Sequence, residues 1–208
     1  MNIKITGSGS YIPTEVVSNI DFAQHTFLND DGTPFPHPND VVAQKFLEIT
    51  GIHERRYVSD DLCTSDIALI AAEKAIEDAK IDRETLDYII LAHNFGDVKK
   101  GAIQSDILPS LATRVKHGLK IKNPKCVAYD ILFGCPGWVE GVIQAYAFIK
   151  AGMAKKCLVI GAETLSRVVD LHDRDSMIYS DGAGATIVEA TDNEGGILAH
   201  ETATFTYD

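Results

Sequence analysis

A run of apolar residues changes abruptly into a glycine- and proline-containing segment at Tyr129-Asp130-Ile131-Leu132-Phe133-Gly134-Cys135-Pro136-Gly137-Trp138. The apolar part predicts a buried strand. Pro136 favours the first turn of a helix, because proline lacks the N–H that would have no partner there. Cys135 is then expected at or just before the helix N-terminus, a position that generally favours the thiolate, the nucleophilic form of cysteine. The residues alone leave two interpretations of Cys135 open, a nucleophile and a buried inert thiol.

The residues that follow predict a helix from Pro136 to about Met153. Its apolar residues occupy nearly every face, so we expect the whole helix to lie inside the protein. The segment is too short to span a bilayer, and we predict no membrane-spanning helix. Gly137, Gly141 and Ala145 recur every four residues and form a flat stripe on which another part of the backbone could pack closely.

Strand and helix patterns alternate from residue 85 to residue 161, which predicts a layered α/β fold with a mostly parallel sheet. A helix beginning near residue 67 carries alanines on one face, and Ser65 is its expected N-cap. Predicted helices cover residues 42–49, 67–80, part of 105–117 and 136–153, and predicted strands cover residues 3–12, 86–92, 126–130, 157–161, 185–190 and 196–205.

Composition limits the possible functions of the 208-residue chain. Its formal net charge of -11 argues against nucleic-acid binding, which requires a positive field at the phosphates, so a small molecule or a protein is the expected partner. The N-terminus leads directly into a strand without an export signal, and we expect a cytoplasmic protein. Four cysteines without metal-ligand spacing predict no metal site. Cys126 and Cys157 are expected to be buried, and Cys63 to lie at a helix start as a surface or capping residue.

Several segments together resemble the β-ketoacyl-acyl-carrier-protein synthase III group of the thiolase-like condensing enzymes. The resemblance implies a thiolase-like, layered α-β-α half with a central mixed, mostly parallel five-stranded sheet, and a homodimer. It is carried by Ile5-Thr6-Gly7-Ser8-Gly9-Ser10-Tyr11-Ile12-Pro13, Thr50-Gly51-Ile52-His53-Glu54-Arg55-Arg56, Gly134-Cys135-Pro136-Gly137, Asp173-Arg174 and Asp181-Gly182-Ala183-Gly184-Ala185.

The resemblance also implies a reaction, the decarboxylating Claisen condensation that initiates fatty-acid synthesis. Cys135 would take an acyl primer from acyl-CoA or an acyl-carrier protein, and malonyl-carrier protein would then condense with it. No cofactor is implied beyond these substrates. The expected partners are acyl-carrier protein and a second copy of the chain, without nucleic acid or membrane.

Two further catalytic residues of the family, a histidine and an asparagine, lie on the second half of a longer, internally duplicated chain. None of the seven histidines here sits in a matching motif, and each is expected at the surface or in the core. Residues 1–208 would therefore form the N-terminal condensing-enzyme domain, with the C-terminal half absent from this chain. We expect this half alone to be inactive.

Other residues leave alternatives open. Arg167 aligns with an arginine that the family uses near the CoA nucleotide, and a solvated arginine is the alternative. The acid-free cationic run is expected to be a solvated helix and loop, with carrier-protein docking as the alternative; it comprises Arg114, Lys116, Lys120, Lys122 and Lys125. The alternative functions are a related condensing or acyl-transfer enzyme, of secondary metabolism or hydroxymethylglutaryl type, and a non-catalytic dimerisation or carrier-binding module.

Overall fold

The computed structural model of the protein describes residues 1–207. Along the described chain the strands are β1 (Asn2–Tyr11), β2 (Glu15–Ser18), β3 (Glu54–Tyr57), β4 (Tyr88–His93), β5 (Val127–Leu132), β6 (Lys156–Glu163) and β7 (Gly182–Thr191). The α-helices are α1 (Asn39–Thr50), α2 (Thr64–Ala79), α3 (Leu111–Gly118) and α4 (Gly137–Lys150). Strands β2 and β3 pair with each other in a separate two-stranded sheet.

The central sheet has five strands in the order β1-β7-β6-β4-β5. Strands β6, β4 and β5 are parallel, whereas β7 runs antiparallel to both of its neighbours, β6 and β1. Four of the five strands therefore point the same way, which confirms the predicted mixed, mostly parallel sheet. The parallel strands bring His93, Leu132 and Glu163, at the carboxyl ends of β4, β5 and β6, to one edge of the sheet.

Helices cover both faces of this sheet. On one face, α2 and α3 pack over a core that includes Leu91, Leu158 and Ile187, and on the other face α4 packs over Ile90 and Val159. The alanine face of α2 is buried as predicted. It lies so close to β1 that a Cβ on Gly7 would come 2.5 Å from the Ala79 nitrogen. A larger side chain at residue 7 would push helix and strand apart.

The expectation that α4 is buried on nearly every face is wrong. Only the stripe of residues that recur every four positions is buried, and the Val139 side chain is 49% exposed. A Cβ on Gly141 would lie 2.7 Å from Val159 Cγ1, so the small residues are the ones that contact the sheet. The apolar residues of α4 indicated that it must be covered, but one sheet covers only one side of a helix.

Two further predictions differ from the structure. Residues 196–205 form no strand; the Ile197 N–H donates to the Ile3 carbonyl at 2.9 Å, but no ladder continues from there. Ser65 is not the N-cap of α2. That position belongs to Cys63, as expected for a capping residue, whereas the Ser65 hydroxyl donates to Asp97. The third helix, by contrast, lies within its predicted window except for its last residue, and it begins after the N-cap Ser110.

No helix within residues 1–207 combines the length and apolar character needed to cross a lipid bilayer.

Candidate active site

Cys135 lies in a tight turn between β5 and α4. The strand ends at Leu132, Pro136 is the N-cap residue, and the helix begins at Gly137. Cys135 is thus just before the helix N-terminus, as predicted, although the helix begins one residue later than expected. The Phe133 N–H donates to the carbonyl of His93 at 3.1 Å, which ties the turn to the end of β4. The thiol is exposed, so it is not a buried inert cysteine.

A cavity of about 310 Å³ opens beside this thiol at the carboxyl edge of the sheet. Its walls come from the ends of β4 and β6, from the turn itself and from the start of α4. They include Ala92, Asn94, Cys135, Trp138 and Glu163. The walls are mostly apolar and border the thiol, an arrangement suited to holding an apolar group next to it.

The polar part of this edge is organised by Asp130, a carboxylate in the middle of the apolar strand β5. Asp130 accepts hydrogen bonds from the N–H groups of Leu111 at 2.6 Å and Ala112 at 2.8 Å, at the start of α3. The same carboxylate lies 3.0 Å from Nε2 of His93, whose side chain is fully buried. The Gly96 N–H donates to His93 Nδ1 at 2.9 Å, so Nε2 carries the proton and donates to Asp130.

His93 therefore confirms the prediction of a core histidine, while the role of Asp130 was missed. The available signal was a carboxylate within an apolar strand, because a buried charge needs partners. Glu163, at the end of β6, makes a second connection, to the residue that follows β4. Its Oε2 accepts from the backbone N–H of Asn94 at 2.6 Å and from the side-chain amide of Asn94 at 2.9 Å. Together these contacts fix the ends of β4, β5 and β6 around the cavity.

The remaining cysteines have different surroundings. Cys126 and Cys157 are buried, as predicted. Burial raises the pKa of both thiols, that of Cys157 to about 12. The pKa of the half-buried Cys63 is raised mainly by burial and further by the carboxylates of Asp97 and Asp66. All three environments disfavour the thiolate, and Cys135 alone of the four thiols is exposed.

Arg167 is not solvated, so that alternative is wrong. Its side chain is 2% exposed, and Nη2 donates to the carbonyl of Ser59 at 2.7 Å. Nη1 lies 3.3 Å from the carboxylate of Asp60. The guanidinium therefore holds the loop between β3 and α2. Its assignment to a CoA or pantetheine site stays a prediction, and Leu165, two residues earlier, does line the Cys135 cavity.

The five residues of the cationic run have different surroundings in the structure. Arg114 bonds to Asp97 at 2.8 Å and Asp106 at 2.6 Å and its side chain is only 22% exposed, so the expectation of a solvated side chain is wrong for this residue. Lys116 is also engaged, with backbone carbonyls as acceptors. The three exposed lysines precede β5, whereas Cys135 follows it, so the length of this strand, about 20 Å for six residues at 3.3 Å each, lies between them. They are Lys120, Lys122 and Lys125.

Within residues 1–207, no three His, Cys, Asp or Glu side chains are grouped closely enough to hold a metal ion.

Comparison with known proteins identifies relatives of this chain. The family described as 3-Oxoacyl-[acyl-carrier-protein (ACP)] synthase III matches residues 129–205, which include Cys135. A β-ketoacyl-[acyl-carrier-protein] synthase III of Neisseria gonorrhoeae is 39% identical over 193 residues, covering 92% of this chain and 53% of the relative. Its counterpart from Neisseria meningitidis serogroup B is also 39% identical, with the same coverage.

Solved structures agree with the sequence relatives. The 3-oxoacyl-[acyl-carrier-protein] synthase III of Aquifex aeolicus superimposes with a TM-score of 0.74 at 33% identity, covering 92% of this chain and 55% of that one. The enzyme of Thermus thermophilus gives a TM-score of 0.71 at 33% identity, covering 92% of this chain and 52% of that one. The chain thus spans about half the length of its relatives. Over that span, the chain is similar to the β-ketoacyl-[acyl-carrier-protein] synthase III proteins and has their thiolase-like α/β fold.

Proposed function

We propose that the protein containing this chain is a 3-oxoacyl-[acyl-carrier-protein] synthase that uses Cys135 to carry the acyl primer. The observation that supports this most strongly is the exposed thiol in the turn before α4, beside a largely apolar cavity. A solvent-accessible thiol at a helix start is a favourable nucleophile.

The first half-reaction is acyl transfer. The Cys135 thiol gives up its proton and attacks as thiolate the carbonyl carbon of the primer thioester; a new C–S bond forms, the bond from this carbon to the donor sulfur breaks, and the departing donor thiolate takes up a proton. The negative charge on the carbonyl oxygen during this step needs a hydrogen-bond donor, and the N–H of Cys135 is the group nearest in sequence to supply it. Covalent capture divides one difficult condensation into two easier steps.

The second half-reaction is condensation. The bond from the malonyl group to its carboxylate breaks, carbon dioxide leaves, and the released electron pair attacks the acyl carbon on Cys135. The cysteine departs as thiolate, and the product remains on the carrier protein. The family resemblance assigns the stabilisation of this carbanion to a histidine and an asparagine on the second half. Among the histidines of residues 1–207, His93 lines the cavity, but its Nε2–H donates to the carboxylate of Asp130.

The proposal includes a homodimer and a cytoplasmic location, as in soluble fatty-acid synthesis. Strand β5 supports the dimer, because it is the last strand of the sheet and its outer edge has no partner within the described chain. An unpaired strand edge readily pairs with another strand. Val127, on β5, is 46% exposed. Val127→Lys should therefore shift the full-length protein from dimer to monomer in sedimentation, and an unchanged dimer would contradict this arrangement.

Intact-mass analysis of the full-length protein tests the catalytic assignment. The protein is incubated separately with acetyl-CoA and with acetyl-carrier protein, and the adduct is located by peptide mapping. We expect one acetyl group on Cys135, none after Cys135→Ala, and retained labelling in the matched variant Cys63→Ala. Absence of an adduct with both donors would exclude the proposed acyl-enzyme. The relative rates with the two donors would identify the preferred carrier of the primer.

A further inference from the structure

His93 connects three parts of the structure around the Cys135 turn. It is the last residue of β4, and its side chain is fully buried among residues of this chain, so its contacts do not depend on what covers the surface. The ring donates from Nε2 to the carboxylate of Asp130 at 3.0 Å and accepts at Nδ1 from the Gly96 N–H at 2.9 Å. The His93 carbonyl accepts from the Phe133 N–H at 3.1 Å. One residue thus links β4, β5 and the loop after β4.

Two of these bonds hold the carboxyl ends of β4 and β5 together beside the nucleophile. His93 lies opposite Leu132, the last residue of β5, in the parallel register. Asp130, two residues earlier on β5, is itself fixed, because the first N–H groups of α3 donate to its carboxylate. The ring is therefore held by an immobilised carboxylate, while the His93 carbonyl bonds to the residue just after the strand. Cys135 follows two residues beyond that bond, so the position of the thiol depends on the position of His93.

The third bond, from Gly96, leads away from the nucleophile. Gly96 precedes a hairpin whose base has two backbone bonds of its own, between Asp97 and Asp106, at 2.9 and 3.1 Å. Arg114 bridges the carboxylates of the same two residues. The hairpin therefore keeps several supports if the Gly96 bond is lost. The bond to Asp130, in contrast, is the only side-chain hydrogen bond between β4 and β5 within residues 1–207.

We propose that His93, held by Asp130, is the positioning residue for Cys135. This inference rests on the proposed function, in which Cys135 takes an acyl group from a thioester. Both ring nitrogens of His93 are engaged, so it acts through its backbone bond to Phe133 and not on the thiol itself. A displacement of about 1 Å in a reacting group can cost about 10²-fold in rate. Loss of the Asp130 bond therefore slows acyl transfer and leaves binding of the donor intact.

The test separates the two ring bonds with two variants of the full-length protein. The amide nitrogen of a glutamine at residue 93 replaces Nε2 and can still donate to Asp130. The shorter asparagine places its carbonyl oxygen near the position of Nδ1, where it accepts from Gly96 and leaves Asp130 without its donor. The pair of variants thus keeps one bond each.

Acetylation of Cys135 is followed by intact mass in single turnovers, over a range of acetyl-CoA concentrations and, separately, of acetyl-carrier protein concentrations. His93→Asn should lower the maximum rate by about tenfold or more and change the half-saturating concentration by less than about twofold. His93→Gln should lower the maximum rate by less than about threefold, since it retains the Asp130 bond. Equal maximum rates in the two folded variants would overturn the role of this bond.

His117→Asn is the matched control, because it makes the same substitution at an exposed histidine, and it should leave the rate unchanged. Iodoacetamide mapping distinguishes displacement from unfolding. In a folded His93→Asn variant only the alkylation rate of Cys135 should change, whereas unfolding would also accelerate the buried Cys126 and Cys157. Accelerated labelling of all three would overturn a specific effect on Cys135.

Asp130→Asn weakens the same bond from its other side, and it decides the matter if His93→Asn does not fold. It should also lower the maximum rate, and the double variant should be little slower than either single one, because both changes remove one interaction. An unchanged rate in folded Asp130→Asn would overturn the positioning role. Failure of the parent protein to be acetylated by either donor would instead overturn the proposed function, and the alkylation rate of Cys135 would then still report its displacement.

Discussion

Gly137 packs directly against Ala92, so that a Cβ atom on Gly137 would come 2.8 Å from the Ala92 Cβ. Gly137 is the first residue of α4 and Ala92 lies near the end of β4, so this contact sets how closely the helix start approaches the sheet. Cys135 lies two residues before Gly137, and its position depends on the same contact.

Gly137→Ala should therefore destabilise the protein and displace the Cys135 turn. Overpacking of this kind costs about 1–3 kcal/mol. Urea unfolding would measure the free energy of unfolding, and the rate of Cys135 alkylation would report the displacement. Gly134→Ala is the matched control for stability, because a Cβ at residue 134 meets nothing within 4 Å. Equal stability of the two variants would contradict the importance of the Gly137–Ala92 contact.

Asp130→Asn should destabilise the protein by about 1–3 kcal/mol, the usual cost of leaving buried donors without an acceptor. The carboxylate accepts from Leu111, Ala112 and His93, and an amide cannot accept all three bonds. Thermal unfolding would measure the loss. Asp106→Asn is the comparison, because the Asp106 carboxylate is 63% exposed and should contribute less. A larger effect at Asp106 than at Asp130 would contradict this assignment.

The sequence was informative where a residue type restricts local backbone geometry. Proline and the glycines around Cys135 predicted the turn and the helix, and strand periodicity predicted the sheet. The sequence did not show which face of α4 contacts the sheet, because apolar residues occur on nearly every face of this helix. The contact of the Gly141 face with the sheet depends on tertiary packing. His93 and Asp130 are 37 positions apart in the sequence, so a local sequence pattern does not predict their hydrogen bond. The burial of Arg167 likewise depends on a contact with Ser59, 108 positions away, so a local pattern does not predict it.

Arg114→Met should loosen the hairpin that contains residues 97–106. Arg114 bridges Asp97 and Asp106, whose backbones also pair across the base of this hairpin. Asp97 is 8% exposed, so removing its cationic partner costs about 1–3 kcal/mol. Limited proteolysis should cut the variant faster within residues 99–105. Lys120→Met, at an exposed residue of the same cationic run, should leave the cleavage rate unchanged, and equal rates in both variants would contradict the bridge.

Cys135 should be the first of the four cysteines to react with iodoacetamide at about pH 8, because a thiol must be accessible and ionised to react. Cys126 and Cys157 are buried with raised pKa values, and Cys63 is half-buried with a raised pKa. Peptide mapping at a series of reaction times would give the four rates. Unfolding in guanidinium should make them similar. Labelling of Cys63 before Cys135 in the folded protein would contradict the exposure seen here.

Stability should decline at alkaline pH because of Cys157 and Tyr129. Burial, the largest cause for both groups, raises the pKa of Cys157 from 9.0 to about 12 and that of Tyr129 from 10.0 to about 12. The unfolded chain releases these protons at the lower values while the folded chain retains them. The free energy of unfolding is therefore unaffected below about pH 9 and falls between about pH 9 and 12, by at most about 1.4 kcal/mol per pH unit for Cys157 and by less for the partly exposed Tyr129.

Urea unfolding of the parent protein and of Cys157→Ala across this pH range would measure the effect. The variant should lose less stability between about pH 9 and 10, since one of the groups is gone. Val159→Ala is the matched control, because Val159 is buried in the same cluster as Cys157 and carries no ionisable proton. It should lower the free energy of unfolding by a similar amount at every pH. A parallel pH dependence in Cys157→Ala and Val159→Ala would show that Cys157 does not contribute to alkaline destabilisation.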